Sequence, residues 1–408
     1  MLTFVKQNAR WLAGGLILTF FSSFGQTFFI GLSGAELRAR FALSDGEFGI
    51  MYMIATLASA ATLPFAGRLL DSMPGRQVAG LVIPPLAFAC VLIAFAPTFV
   101  LALLALTMLR LFGQGMMTHI ALTETGRWFA ARRGRAISLI VPGHQAGEAL
   151  LPAAFVLLAA AFGWQSAWLA AAAALMLIAL PAILILYAAE REPSRQEAIS
   201  AGTATPTRDW TRREVVSDPL FYALLTGVLA PAFIGTTVFF HQDYLVQLRG
   251  YDPLAFATAF PLMAATTIAF SLLCGQLIDK VSAVRLLPFF LLPLALASAV
   301  AGLLEPVWGI YLFMTLLGIS YGLSSTLFGA LWPEIYGVRY LGGIRALIVA
   351  AMVFATALGP GLTGYLIDYG IGLDRQLIWM SGWCLAASFM LAVVAAALAR
   401  RSAPVTLR

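Results

Sequence analysis

Twelve long apolar runs, each closed by a polar loop, leave this chain one economical way to fold: as helices crossing a bilayer. The runs are roughly Trp11–Ile30, Phe48–Phe65, Val78–Phe95, Phe99–Ala121, Ala136–Phe162 and Ala167–Tyr187, then Leu220–Phe240, Leu254–Leu273, Leu286–Leu304, Val307–Leu331, Ile344–Ile367 and Leu377–Ala399. As helix, each is long enough to cross about 30 Å of hydrocarbon. The period-two alternation of barrel strands is absent. With 61% hydrophobic and only 11% charged residues, water cannot be the solvent for most of the surface. The expected class is all-α, with twelve transmembrane helices.

The runs repeat. Gly67-Arg-Leu-Leu-Asp71 and Gly275-Gln-Leu-Ile-Asp279 are one phrase written twice, 208 residues apart, and Pro85/Pro293 and Pro152/Pro360 recur at the same offset. Such repetition in so apolar a chain marks two related halves. The polar stretch 190–216 separates them. The expected organisation is therefore a six-helix bundle over 1–189, a linker over 190–216 and a second six-helix bundle over 217–408.

Basic residues test the count. With both termini on one side, that side receives 20 of the 25 Lys and Arg; Arg38, Arg40, Arg249 and Arg375 fall on the other, and Arg110 lies within a run. By the positive-inside rule the termini and the linker are cytoplasmic. The charge sits in short loops rather than in a basic stripe interleaved with aromatics, so no nucleic-acid partner is expected. Compact loops and Ala-rich runs point to a bacterial inner (cytoplasmic) membrane, with the chain acting as a monomer. Cys90, Cys274 and Cys384 all fall inside runs and read as small core residues. No Walker A loop, HExxH site or nucleophile elbow occurs. Neither a cofactor nor a metal is expected, and nothing speaks for an enzyme.

Polar residues follow a three-helix rhythm. The third, sixth, ninth and twelfth runs are nearly bare. The first carries Gln26, the fourth Arg110, Gln114 and Thr118, the seventh Thr237, and the tenth Tyr321 and Ser325. That rhythm is expected if the first helix of each triplet lines a wet cavity and the third meets lipid.

These residues resemble the major facilitator superfamily along the whole chain. Gly67, Asp71, Gly75 and Arg76 are similar to its loop signature between the second and third helices, with Pro74 inserted; Gly275, Asp279, Lys280 and Arg285 form the second copy. Arg110-Leu-Phe-Gly-Gln-Gly115 resembles its fourth-helix signature. Trp128 to Ala136, Gly143, Gly147, Pro152, Gly163-Trp164 and Pro333-Glu-Ile-Tyr-Gly337 look like the monocarboxylate and oxalate/formate branch. The resemblance implies two pseudo-symmetric six-helix bundles that rock about a midplane site. It also implies that Gly67, Asp71, Arg76, Gly275, Asp279 and Arg285 govern that rocking. One departure is that the eighth and eleventh runs hold no Lys or Arg, where carboxylate-carrying relatives commonly place a cation.

Arg110 and Glu148 lie nearest mid-span. A charge there costs about 2.5–3.5 kcal/mol, so each should face protein or water. They either tie the fourth helix to the fifth as a structural ion pair, or work together, Glu148 exchanging a proton and freeing Arg110 for substrate. His144, one turn before Glu148, reads as a proton relay or as a packing histidine. Gln26, Arg110, Gln114, Thr118, Thr237, Tyr321 and Ser325 are the expected substrate cavity. The leading reading is proton-coupled secondary transport of a small organic solute, a monocarboxylate or related anion. The alternatives are a proton-antiport exporter of drugs or metabolites and a non-transporting membrane sensor of the same fold.

The charge split makes a direct prediction. In a variant lacking the native cysteines, Ser200→Cys should resist an impermeant thiol reagent applied to intact cells and react after lysis. Labelling from outside would invert the topology.

Overall fold

A computed structural model describes residues 2–129, 133–189, 209–337 and 340–402; most of the linker and part of the Trp128–Ala136 loop lie outside them. The fold is all-helical, with no strand among the described residues. In chain order the helices are α1 (Leu2–Phe21), α2 (Gly34–Phe41), α3 (Asp45–Gly67), α4 (Gly75–Phe95), α5 (Phe99–Trp128), α6 (Arg135–Phe162) and α7 (Trp164–Leu186). Then come α8 (Pro219–Phe240), α9 (Gln242–Arg249), α10 (Pro253–Ile278), α11 (Leu292–Leu303), α12 (Trp308–Tyr336), α13 (Gly343–Asp368) and α14 (Leu373–Arg401).

Ten of these are long and apolar enough to cross a membrane unbroken, and the first apolar run passes as a pair bent by 44°. The ninth run yields only the 12-residue α11. Pro288 and Pro293 explain the shortening, because neither can donate a backbone hydrogen bond and each rejects a preceding helical turn. Residues 287–291 form turns instead. The repeated prolines therefore behave differently: Pro152 and Pro360 sit inside α6 and α13, whereas Pro85 is inside α4 and Pro293 opens α11.

The chain packs as two compact units. The first comprises residues 1–204 with 239–248 and 252–261; the second comprises 205–238, 249–251 and 262–408.

Glycine governs packing in the first unit. The first run breaks after α1 into a tight turn at Ser22–Gly25, an extended Gln26 (φ −84°, ψ 153°) and the short helix Thr27–Ile30. In α5 the segment Leu109–Met117 widens into π-helix. The two irregular stretches touch at glycine: a Cβ on Gly113 would lie 2.7 Å from the Gly25 Cα. On the other side of α1, Gly143 of α6 packs on the Leu16 carbonyl and Gly147 on Ser23. This is small-xxx-small packing, which lets two backbones approach closely. At the start of α1, Arg10 donates to the Ile185 and Leu186 carbonyls at 2.6 and 2.7 Å, satisfying the C-terminus of α7.

In the second unit, α11 packs against α12 and α14. Residues 209–217 close this unit near the chain's C-terminal helix. Thr211 and Glu214 form a capping box for Arg212–Val216, and Asp218 takes a two-pronged bond from Arg401 at 2.9 and 3.0 Å. The Arg401 guanidinium also lies 5.8 Å from the Trp210 ring, whose backbone N–H donates to the Tyr336 carbonyl.

The Gly25–Gly113 contact predicts a sharp size limit. Gly113→Val should destabilise the protein by about 1–3 kcal/mol, the usual cost of overpacking. Gly343→Ala, with nothing within 4 Å of its added carbon, should be neutral. Thermal unfolding in detergent checks both; equal melting temperatures for Gly113→Val and wild type would contradict the close approach.

Candidate functional site

Arg110 is built into the π-helical turn of α5. A π-turn adds a residue to the repeat, so successive side chains no longer fall on one four-residue stripe. This separates Arg110, Gln114 and Thr118, which regular helical spacing would put on one stripe: Arg110 is only 3% exposed, while Gln114 and Thr118 remain half-buried. The Arg110 side chain reaches across to the break in the first run. Its Nη1 donates to the Gly25 carbonyl at 3.2 Å and to the Thr27 hydroxyl at 3.4 Å. Its guanidinium carbon lies 5.3 Å from the centre of the buried Tyr52 ring, and the Tyr52 and Thr27 hydroxyls share a 2.5 Å hydrogen bond. Nε is buried without a partner. No carboxylate among the described residues lies within ion-pairing distance of the guanidinium. The cation thus rests on a carbonyl, a hydroxyl and a ring face.

Glu148 follows Gly147 on α6 and is 5% exposed. It forms no ion pair with Arg110 in this structure. His144, one turn earlier, is half-buried, with its ring 6.1 Å from that of Phe28. Gln26 is half-buried at the extended residue of the broken run.

The second unit carries its own group. Thr237 on α8 is fully buried, its hydroxyl unpartnered, beside Gly359 of α13. The Tyr321 hydroxyl of α12 lies against Gly235, where a side chain would displace it. Ser325 is exposed and donates to the Gly322 carbonyl at 3.1 Å. On α10 and α13, Thr266, Thr267, Ser271 and Thr356 each donate to a carbonyl of their own helix.

The repeated loops are held by residues that the sequence reading left as background. In the first, Arg127 donates to the Leu70 carbonyl and pairs with Glu124 at 3.5 Å. Glu124 is 4% exposed and packs on Gly75, the first residue of α4. In the second loop, Glu334 accepts the backbone N–H of Ala283 at 2.9 Å. Gly75 and Ala283 are again 208 residues apart. Each half therefore sets a carboxylate, carried near the end of α5 or α12, against the start of a helix, α4 in one half and the short helix Ala283–Leu286 in the other, where N–H groups are unsatisfied and the dipole is positive. Gly67 faces the His119 imidazole, whose Nε2 would lie 3.0 Å from an added Cβ. Gly275 has room, with Thr326 at 3.9 Å. Arg76 and Arg285 are exposed, and the side chains of Asp71 and Asp279 lie outside the described residues. The recurrence of a Glu at the end of the fourth and tenth runs was the signal available for Glu124 and Glu334.

A third cluster surrounds Arg38 on α2. One nitrogen meets Asp45 at 2.6 Å and the other meets Asp243 at 2.6 Å. Burial pushes the Asp243 carboxyl above the ordinary carboxylate range, against the opposing pull of the Arg38 guanidinium.

Comparison with known proteins places this geometry. The sequence pattern of the Major Facilitator Superfamily matches residues 15–360. Monocarboxylate transporter 11 of Homo sapiens is 28% identical over 389 residues, which is 90% of this chain and 79% of that protein. Among solved structures, a bacterial homologue of the human lysosomal transporter Spinster, inward-facing and occupied, matches with a TM-score of 0.67 at 19% identity. The match covers 98% of this chain and 97% of that one. The nucleoside transporter NupG matches with a TM-score of 0.68 at 13% identity, over 94% of this chain and 98% of that one. At such identities the two structures speak for the fold alone. The family pattern spans most of the chain, on a multi-pass helical fold. The chain is a membrane transporter of small molecules rather than an enzyme, and it belongs to the Major Facilitator Superfamily.

Proposed function

We propose that this transporter carries a small organic anion of the monocarboxylate class by alternating access, in symport with protons. The observation that carries the reading is Arg110. A guanidinium at mid-span with no carboxylate beside it lacks a counter-charge, and its Nε lacks even a neutral acceptor. An anionic substrate supplies both, through the planar two-pronged geometry that suits Arg to carboxylates. The likeness to human monocarboxylate transporter 11 supports the same class.

Glu148 is the proposed proton site, with His144 beside it. Its carboxyl has no ion-pair partner here, and it follows a glycine seated on the break of the first run. Movement at that break changes its surroundings and so its hold on a proton. Gln26, Gln114 and Thr118 in the first unit and Thr237, Tyr321 and Ser325 in the second are the proposed substrate contacts. The protein works as a monomer in the inner membrane, with cytoplasmic termini and six-helix halves at 1–189 and 217–408 joined by 190–216.

A proton-antiport exporter is the second reading, favoured by one observation. The hydroxyls of α10 and α13 are occupied within their own helices, which leaves these helices chemically apolar and suited to a greasy solute. Thermal-shift screening separates the two. A monocarboxylate that stabilises wild type but not Arg110→Ala supports the first, and stabilisation by a cationic dye alone supports the second.

Two variants test the mechanism in proteoliposomes. Glu148→Gln mimics the protonated acid and should keep counterflow exchange while losing uphill accumulation driven by a proton gradient. Arg110→Ala should lose both. Accumulation by Glu148→Gln at the wild-type level would remove Glu148 from proton coupling. Asp71 and Asp279, with Gly67, Arg76, Gly275 and Arg285, are proposed to set the pace of cycling. Asp71→Asn should slow turnover while leaving substrate affinity within about three-fold, since the loop is expected at the cytoplasmic end of the second run, away from the midplane. A large affinity loss with an unchanged balance of inward and outward states would contradict this.

A further inference from the structure

The geometry points to Arg38 as the latch of a gate on the face opposite the termini: it locks to Asp243 when that face is closed and must release it each time the face opens. The inference rests on the alternating-access reading and adds to it the residues that close one side.

Residues 239–248, the last two of α8 and most of α9, belong to the second half of the sequence, yet they pack inside the first unit. Polar contacts and rings hold them there. Arg38 grips Asp243 across 205 residues of chain, and the Gln242 side-chain amide donates to the Phe28 carbonyl at 2.9 Å. Asp243 also lies against Gly34, at the start of the helix that carries Arg38. Beneath the ion pair lies a layer of rings. Phe240 stacks on Phe48 at 4.7 Å and meets Tyr52 at 4.6 Å, the same Tyr52 whose ring faces Arg110. The layer thus sits directly over the group proposed to hold the substrate.

The two carboxylates around Arg38 have different work. Asp45 belongs to the first half of the sequence and lies at the N-terminus of α3, so its bond fixes the guanidinium in place. His241 Nδ1 lies 4.0 Å from the same carboxylate. Of these two carboxylates only Asp243 comes from the second half of the sequence, so of the two Arg38 bonds only the one to Asp243 has to break on opening, along with the Gln242–Phe28 bond. The exposure of the pair suits a reversible contact: Arg38 and Asp243 are 15% and 16% exposed in their side chains. They are dry enough for the attraction to exceed that of a surface pair, and wet enough for water to replace it when the pair parts.

The test uses a cysteine-free full-length protein in intact cells. Gln114→Cys reports access to the binding region and Arg375→Cys, exposed and expected from the charge pattern on the same side of the membrane as Arg38, reports reagent delivery. With an impermeant maleimide, Arg38→Ala and Asp243→Asn should each raise Gln114→Cys labelling about ten-fold, the order expected for loss of one charged hydrogen bond. Asp45→Asn should raise it much less, and the swap of Arg38→Asp with Asp243→Arg should return it toward wild type. Arg375→Cys should label equally throughout. Equal Gln114→Cys labelling in all variants, or a larger effect from Asp45→Asn than from Asp243→Asn, would overturn the latch. A second arm joins the gate covalently: Arg38→Cys with Asp243→Cys, oxidised, should lose counterflow exchange and regain it on reduction. Exchange that survives the cross-link would also overturn the latch. Absence of exchange in the wild-type protein with every monocarboxylate would instead count against the transport reading and leave the labelling result to decide the latch.

Discussion

Two glycines in contact, Gly25 and Gly113, set the terms for everything around them. A bilayer gives an irregular backbone no water to bond with, so a broken helix at that depth needs protein against it. Here one irregular stretch answers another. The tight turn at Ser22–Gly25 exposes a carbonyl, the π-turn of α5 swings Arg110 toward it, and the guanidinium takes it as an acceptor. Any side chain at Gly113 would push these backbones apart and take Arg110 with them. The same break seats Gly147, so Glu148 is positioned from the other side of the same irregularity. A cation and an acid, on different helices, thus depend on one close approach.

The two halves of the sequence reuse a device without copying the residue. Glu124 and Glu334 each place a carboxylate at the start of a helix after the repeated loop, one against Gly75 and one on the Ala283 amide. Their spacing differs from the 208-residue offset of the loops by two residues, less than a helical turn. What is preserved is the electrostatic partnership between an acid and a helix N-terminus rather than an alignment column. Arg127 gives the first copy an extra tie, holding Glu124 and the Leu70 carbonyl together.

The spans were legible because bilayer thickness fixes their length and period; no tertiary knowledge was needed to see them. The breaks were not. The first run reads as one helix although its Ser22, Ser23, Gly25 and Gln26 cluster marks the place where it bends. A π-turn leaves no periodic trace over nine residues, so a stripe drawn through Arg110, Gln114 and Thr118 at helical spacing divided once the turn widened. Arg38 read as one more loop charge because its decisive partner lies 205 residues away, and nothing local marks such a pair. Gly143 and Gly147, by contrast, mark their close approach in the sequence itself, since the small-xxx-small pattern is carried entirely by spacing on one helix.

The ninth run has a consequence in the bilayer. α11, at 12 residues, spans about 18 Å of helix, well short of a hydrocarbon slab of about 30 Å. Its turns at 287–291 keep local backbone bonds, Phe289 to Leu286 and Leu292 to Phe289, so part of the deficit is met without water. Phe289, Leu292 and Leu296 are nonetheless exposed along this stretch. The short helix Ala283–Leu286 precedes those turns, so the apolar segment runs on past α11 as two helical pieces joined at the prolines. Where an unbroken helix answers a change in bilayer thickness by tilting as a whole, this segment has a joint at which its two pieces can change their angle.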